Sequence, residues 1–137
     1  MKTFFDSSSF AKRFVEEEGS ERVEAACAET SELGLSVICV PEVVSALNRR
    51  KREESLTAEQ YGKARQRLVE DVRDAVMINL TPPVIVASLS ILEANPIRAM
   101  DALHIACALE WDADRFISSD ERQLQAAKKA GLKVFRV

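Results

Sequence analysis

Apolar and polar positions along this chain alternate between two regimes, short unbroken apolar runs and stripes at helical spacing, and the exchange repeats from one end to the other. Residues 2–5 (KTFF) form the first run; Asp6 and Ser7-Ser8-Ser9 interrupt it, and Phe10, Ala11, Phe14 and Val15 then fall on one helical face. Gly19 is placed to cap that helix at its C-terminus, and Ser20 to open the next, which carries Val23, Ala26 and Cys27. Residues 35–40 (LSVICV) are continuous and rich in β-branched side chains, as in strands buried on both faces. Pro41 and Glu42 suit the first turn of a helix starting there, with Val43, Val44 and Leu47 inward.

That helix runs out in a charged segment, residues 49–54 (RRKREE). Thr57-Ala58-Glu59-Gln60 has the spacing of a capping box, ahead of a stripe of Tyr61, Ala64, Leu68 and Val72. The two helices predict a hairpin excursion over about residues 43–74. Residues 75–80 (AVMINL) read as a third strand, and Thr81 with Pro82 and Pro83 opens a helix that Asn95-Pro96 stops. A helix over 98–111 and a strand over 115–119 (RFISS) follow. Asp120-Glu121-Arg122-Gln123 again has the look of a cap with a residue reaching back, starting a helix that ends at Gly131 before a last strand, 133–137 (KVFRV). Strands alternating with helices over the whole length predict one domain, residues 1–137, built as a three-layer α/β/α sandwich around a mostly parallel sheet.

At 137 residues the chain can bury a core without disulfides or a structural metal. No apolar run approaches the ~18 residues of a membrane span, so no membrane association is expected. The N-terminal run meets Asp6 too soon for a signal peptide, which makes a cytoplasmic location the expectation. Cys27, Cys39 and Cys107 are odd in number, lack C-x-x-C spacing and have apolar neighbours, which fits reduced core thiols rather than zinc ligands. A net charge of -3 argues against binding nucleic acid by bulk charge. The run at 49–52 reads as a solvated helix end, and with Lys63, Arg65 and Arg67 it is a candidate local rim for a phosphate backbone. With only four glycines, Gly-rich phosphate and dinucleotide loops are absent.

The helix at 98–111 contains RAMDALHIACAL, apolar nearly all the way round except for Asp101 and His104. A buried carboxylate costs several kcal/mol unless it is paired, hydrogen-bonded or metal-bound. His104 reads as a hydrogen-bonded packing residue and Cys107 as core. Asp6, Glu42 and Asp120 each stand just past the carboxyl end of an expected strand, the edge where open parallel sheets place their ligand crevice. Each also has a plain reading, Asp6 and Asp120 as helix N-caps and Glu42 as a first-turn acid. If Asp101 reaches the same edge, four carboxylates converge. Two like charges at ~4 Å repel by roughly 4 kcal/mol at an effective dielectric near 20, so such a cluster needs a cation. Oxygen-only ligation suits Mg²⁺ or Mn²⁺, and that site orients a phosphodiester, activates water and stabilises the leaving oxygen.

These motifs resemble, over the whole chain, those of the PIN-domain family, and in detail those of VapC-type ribonuclease toxins of VapBC toxin-antitoxin systems. FFDSSSFAK resembles the family's hydrophobic strand followed by Asp-x-Ser, and PEVVSALNRR its Glu motif leading a helix, with Pro41 directly before Glu42 as a departure. RAMDALHIACAL is similar to the family's Asp-Ala-Leu-His helix, the most specific of the four, and FISSDERQL to its strand and Ser/Thr-x-Asp motif. The resemblance implies catalytic and metal-binding roles for Asp6, Glu42, Asp101 and Asp120, with Ser8 and Ser118 in support. It implies an endoribonuclease dependent on Mg²⁺ or Mn²⁺, acting on RNA, homodimeric, and held inactive by an antitoxin that threads a segment across its groove. A catalytically inactive PIN scaffold serving as an RNA- or protein-binding module is the alternative, motivated by the overall acidity. A phosphoacceptor receiver domain shares the α/β order but wants paired acids after its first strand, where this chain has serines. Topology offers the hairpin as the contact surface for a second copy or an antitoxin, with Tyr61 and Leu68 as the residues to probe.

Overall fold

The structure, a computed structural model, describes all residues 1–137. In chain order its elements are β1 (Lys2–Phe5), α1 (Ser7–Ala11), α2 (Ser20–Ala28), β2 (Glu32–Ser36), α3 (Cys39–Arg52), α4 (Ala58–Asp74), β3 (Val76–Ile78), α5 (Pro82–Ala94), α6 (Ala99–Glu110), β4 (Arg115–Ser118), α7 (Glu121–Lys129) and β5 (Val134–Arg136). The five strands form one sheet in the order β3-β2-β1-β4-β5. Every pairing is parallel, so the sheet is parallel throughout. The chain walks outward from β1 to β3, returns over the sheet through α5 and α6, and resumes on the other side of β1. That reversal makes the boundary between β1 and β4 the switch point, where such sheets open a crevice at their carboxyl ends.

Two cores lie on opposite faces of the sheet. Because successive strand side chains point to opposite faces, Phe4 enters one core and its neighbour Phe5 the other. The first core is otherwise made by residues of α5, α6, β4, α7 and Leu132, and the second by residues of α1 to α4 and β2. β4 repeats the pattern: Phe116 stacks on Phe4 at 5.8 Å, while Ile117 crosses to the opposite core. Each layer thus borrows one fully buried large side chain from the other half of the chain.

Several expected boundaries move, each for a readable reason. The run LSVICV is divided: β2 occupies residues 32–36, and α3 has already begun at Cys39. Its register is set by both neighbours, with Lys2 opposite Glu32 and Phe4 opposite Gly34 on β1, and Ser36 opposite Ile78, where β3 also ends. Cys39 then continues a buried stripe with Val43 and Leu47 at the i, i+4, i+8 spacing of a helix. Pro41 sits inside the first turn, where its missing N–H is not needed, and the ladder starts with Glu42 N–H donating to the Ile38 carbonyl at 3.1 Å. α1 stops at Ala11, and Gly19, at φ +94°, caps the N-terminus of α2 instead of closing α1. The capping box at Thr57 and Gln60 forms in full.

The hairpin of α3 and α4 is present, but Leu68 is only 1% exposed and packs in the core, and the Tyr61 hydroxyl accepts a hydrogen bond from Asn48 at 2.9 Å. Leu68 is therefore unsuitable as a contact probe, because a charge there would strike the core first. On the hairpin the exposed large apolar side chain is Val69 of α4, and α5 exposes Ile85, Val86 and Leu89. No helix is long and apolar enough to cross a membrane.

Candidate active site

The carboxyl edge at the switch point is built from short polar segments that leave the strands just as the apolar alternation ends. Asp6 follows β1 directly and is 4% exposed. Its Oδ1 accepts hydrogen bonds from the Ser9 backbone N–H, at 3.0 Å, and from the Ser9 hydroxyl, which also makes Asp6 the N-cap of α1. Its Oδ2 lies 3.3 Å from the Ser118 hydroxyl at the end of β4. That hydroxyl has one proton and a second acceptor, Gln123 Oε1, closer at 2.8 Å. Burial, the largest influence, pushes the Asp6 carboxyl above the ordinary carboxylate range, against these hydrogen bonds and the nearby His104.

Glu42, in the first turn of α3, is half-buried, and its Oε1 collects two contacts. The Ser7 hydroxyl donates to it at 2.6 Å, and His104 Nε2 lies 2.7 Å away. Ser7 Oγ and His104 Nε2 are themselves 3.0 Å apart. Burial would raise the Glu42 carboxyl, but the hydrogen bonds of His104 and Ser7 outweigh it and hold the group below its usual value. Asp101, in the first turn of α6, has Arg98 Nε at 3.8 Å from its Oδ2. Burial raises its carboxyl, Arg98 opposes this, and the negative charge of Asp120 adds to it. Asp120 is exposed and caps α7, accepting from the backbone N–H groups of Arg122 at 2.9 Å and Gln123 at 3.4 Å.

All four acids therefore stand along one edge, delivered by β1, α3, α6 and the β4–α7 junction. No three of the chain's His, Cys, Asp and Glu side chains are gathered closely enough to hold one ion as they stand. The donor set nevertheless fits a hard divalent cation: it is all oxygen, it buries the Asp6 carboxylate against no basic partner closer than His104, and it sets Asp101 beside the like charge of Asp120. Asp6, Asp101, Asp120 and Glu42 are the residues that could take such an ion by rotating away from their present hydrogen bonds.

The serines divide differently from the expectation. Ser118 touches Asp6, while Ser8 is exposed and it is its neighbours Ser7 and Ser9 that bond Glu42 and Asp6. Ser8 instead lines a hollow of about 460 Å³ with Arg49 and Arg50. The expected basic rim is neutralised in part, with Arg50 paired to Glu17, Lys63 to Glu59 and Arg67 to Glu24, while Arg49, Lys51, Arg52 and Arg65 make no ion pair. Gln123 does not reach back to its own cap. Its buried amide donates to the Asp101 carbonyl at 3.3 Å while accepting from Ser118, tying α6 to β4. Ser7 and Gln123 are parts of the site that sequence reading passes over, and His104, expected as a hydrogen-bonded packing residue on a helix otherwise apolar, is buried and bonded, with Glu42 as the partner the sequence does not name.

Together these features define a class: a fully parallel α/β/α sandwich with acids at its switch-point edge. The chain belongs to the PIN domain family, whose sequence profile matches residues 3–129. No curated protein matches it in sequence. Among solved structures it is similar to FitAcB from Neisseria gonorrhoeae, at 18% identity and a TM-score of 0.72 over 97% of this chain and 96% of that one. It is similar to VapC20 from Mycobacterium tuberculosis, a sarcin-ricin loop cleaving toxin, at 15% identity and a TM-score of 0.71 over 95% of each chain. A toxin-antitoxin complex from Klebsiella pneumoniae contains a chain similar at 16% identity and a TM-score of 0.70, covering 97% and 95%.

Proposed function

We propose that the protein is a divalent-cation-dependent endoribonuclease, the toxin of a two-component toxin-antitoxin pair. The observation that carries the reading is the delivery of Asp6, Glu42, Asp101 and Asp120 from four separate segments to one edge of a parallel sheet. Helix capping accounts for Asp6 and Asp120 singly, but it gives no reason for a carboxylate as buried as Asp6 or for Asp101 beside Asp120. When bound, Mg²⁺ or Mn²⁺ would supply orientation of the phosphodiester, a more acidic water and charge neutralisation at the leaving oxygen. Asp6, Asp101 and Asp120 would hold it. Glu42, kept ionised by its hydrogen bonds, would hold the ion or take the proton of the attacking water.

The neighbours described as a toxin-antitoxin complex and as a sarcin-ricin loop cleaving toxin support RNA as the substrate and an antitoxin as the partner. Family membership also supports a homodimer. A second reading, a scaffold without turnover, is favoured by one observation, that no three ligands stand ready around an ion.

Cleavage of structured and unstructured RNA with Mn²⁺, Mg²⁺ or EDTA, for the wild type and Asp101→Asn, separates the two. The nuclease reading expects cutting that needs the cation and falls on the order of 100-fold in the variant. Folded wild type that binds neither cation and cuts no RNA would leave the scaffold reading standing.

A further inference from the structure

His104 is 2% exposed, on a stretch of α6 whose residues 104 to 108 are all buried, and its ring packs edge-on against Phe4 at 6.3 Å. A side chain meant only to fill this space would be apolar. Its Nε2 lies instead 2.7 Å from Glu42 Oε1, and Nδ1 is buried with no hydrogen-bond partner at all. Proton counting makes Nε2 a donor. A carboxylate only accepts, and the single Ser7 proton is already directed at Glu42 Oε1, so Nε2 must bring its own hydrogen to the same oxygen. Nδ1, whether it carries a lone pair or a proton, has no partner, a standing cost of burial with nothing in the core to offset it.

Both contacts fall on Oε1, and Glu42 Oε2 makes no hydrogen bond within the protein. His104 also sits one turn after Asp101 on the same helix, so one helical turn carries an acid of the site and a clamp on another. We propose that His104 is a positioning residue for Glu42: with Ser7 it holds one carboxylate oxygen, leaving the other presented to the site at a fixed distance from Asp101. The proposal rests on the nuclease reading above. Outer hydrogen-bond partners of this kind set the orientation of a ligating carboxylate and are worth roughly 10–100-fold in metal affinity or activity.

The test compares wild type, His104→Leu and His104→Gln by Mn²⁺ titration followed by electron paramagnetic resonance, and by RNA cleavage kinetics. Leu fills the volume without a donor; the Gln amide N–H reaches about where Nε2 stands. Leu is expected to lose roughly 10–100-fold in Mn²⁺ affinity and in kcat, with KM for RNA unchanged and metal-free unfolding at or above the wild-type midpoint. Gln is expected to recover most of both losses. Should His104→Leu fail to fold by circular dichroism, His104→Asn, whose amide falls short of Glu42, replaces it in the comparison with Gln. A donorless variant that binds Mn²⁺ and turns over as wild type does, or a folded Gln variant as impaired as Leu, overturns the positioning role alone. Wild type that neither binds Mn²⁺ nor cleaves RNA overturns the nuclease reading and this proposal with it.

Discussion

Asp6 receives hydrogen bonds from the Ser9 backbone N–H and hydroxyl and still lies where burial disfavours its charge. Asp6→Asn keeps the shape and leaves Oδ1 able to accept from Ser9 while removing the buried charge. Without added cation the variant is expected to be more stable than wild type at neutral pH by roughly 1–3 kcal/mol, a rise of several °C in Tm, while losing RNA cleavage. The sign follows from linkage. A carboxyl raised on folding binds more protons folded than unfolded between its unfolded value of 3.8 and its higher folded value, so wild-type stability falls as pH rises through that window. Thermal melts at a series of pH values should show the advantage of Asp6→Asn growing from about pH 4 upward and absent below; an advantage independent of pH would refute the account. Asp6 was legible as a candidate because it stands just past the end of an expected strand, and Asp101 because it is an acid on a helix otherwise apolar. The clamp on Glu42 was not, since His104 and Ser7 lie 62 and 35 residues from it in the chain.

Elements were legible wherever local chemistry fixes them and slipped wherever a neighbour does. Thr57 and Gln60 satisfy each other within one turn, so that helix start could be read directly. The end of β2 is set across the sheet, where its last two residues, Leu35 and Ser36, pair with Met77 and Ile78 of β3, and no local residue announces it. Gly34 shows the same dependence. A Cβ there would meet the Trp111 ring at 2.3–2.8 Å, so a residue in mid-strand is set by a side chain at the end of α6. Gly34→Ala is expected to cost about 1–3 kcal/mol through overpacking, and since Trp111 is the single tryptophan, its fluorescence reports both the local shift and the urea midpoint. Gly62, on α4 with nothing within 4 Å of an added Cβ, supplies the contrast: Gly62→Ala should raise the stability by about 0.5–1 kcal/mol and the urea midpoint with it. Equal effects at the two positions would discard the close-approach argument.

For the whole molecule, strand-helix alternation sufficed to give a single three-layer parallel sandwich, because unbroken apolar strands have no other place to go than between two helical layers. What alternation does not reveal is how the layers share material. Phe4 serves the layer formed by residues after 80, and Ile117 the layer formed by residues before it. The acids divide the same way, Asp6 and Glu42 on one side of the midpoint and Asp101 and Asp120 on the other. A chain severed in the turn at 79–81 would yield two pieces, each missing one large core side chain and half of the acids. Neither piece is expected to show native circular dichroism alone, and mixing them should restore it together with any cation-dependent activity; a piece that folds by itself would refute the interlock. The swap of two neighbouring side chains across a sheet thus makes this a molecule without separable halves, whose chemistry exists only when the two halves of the chain have found each other.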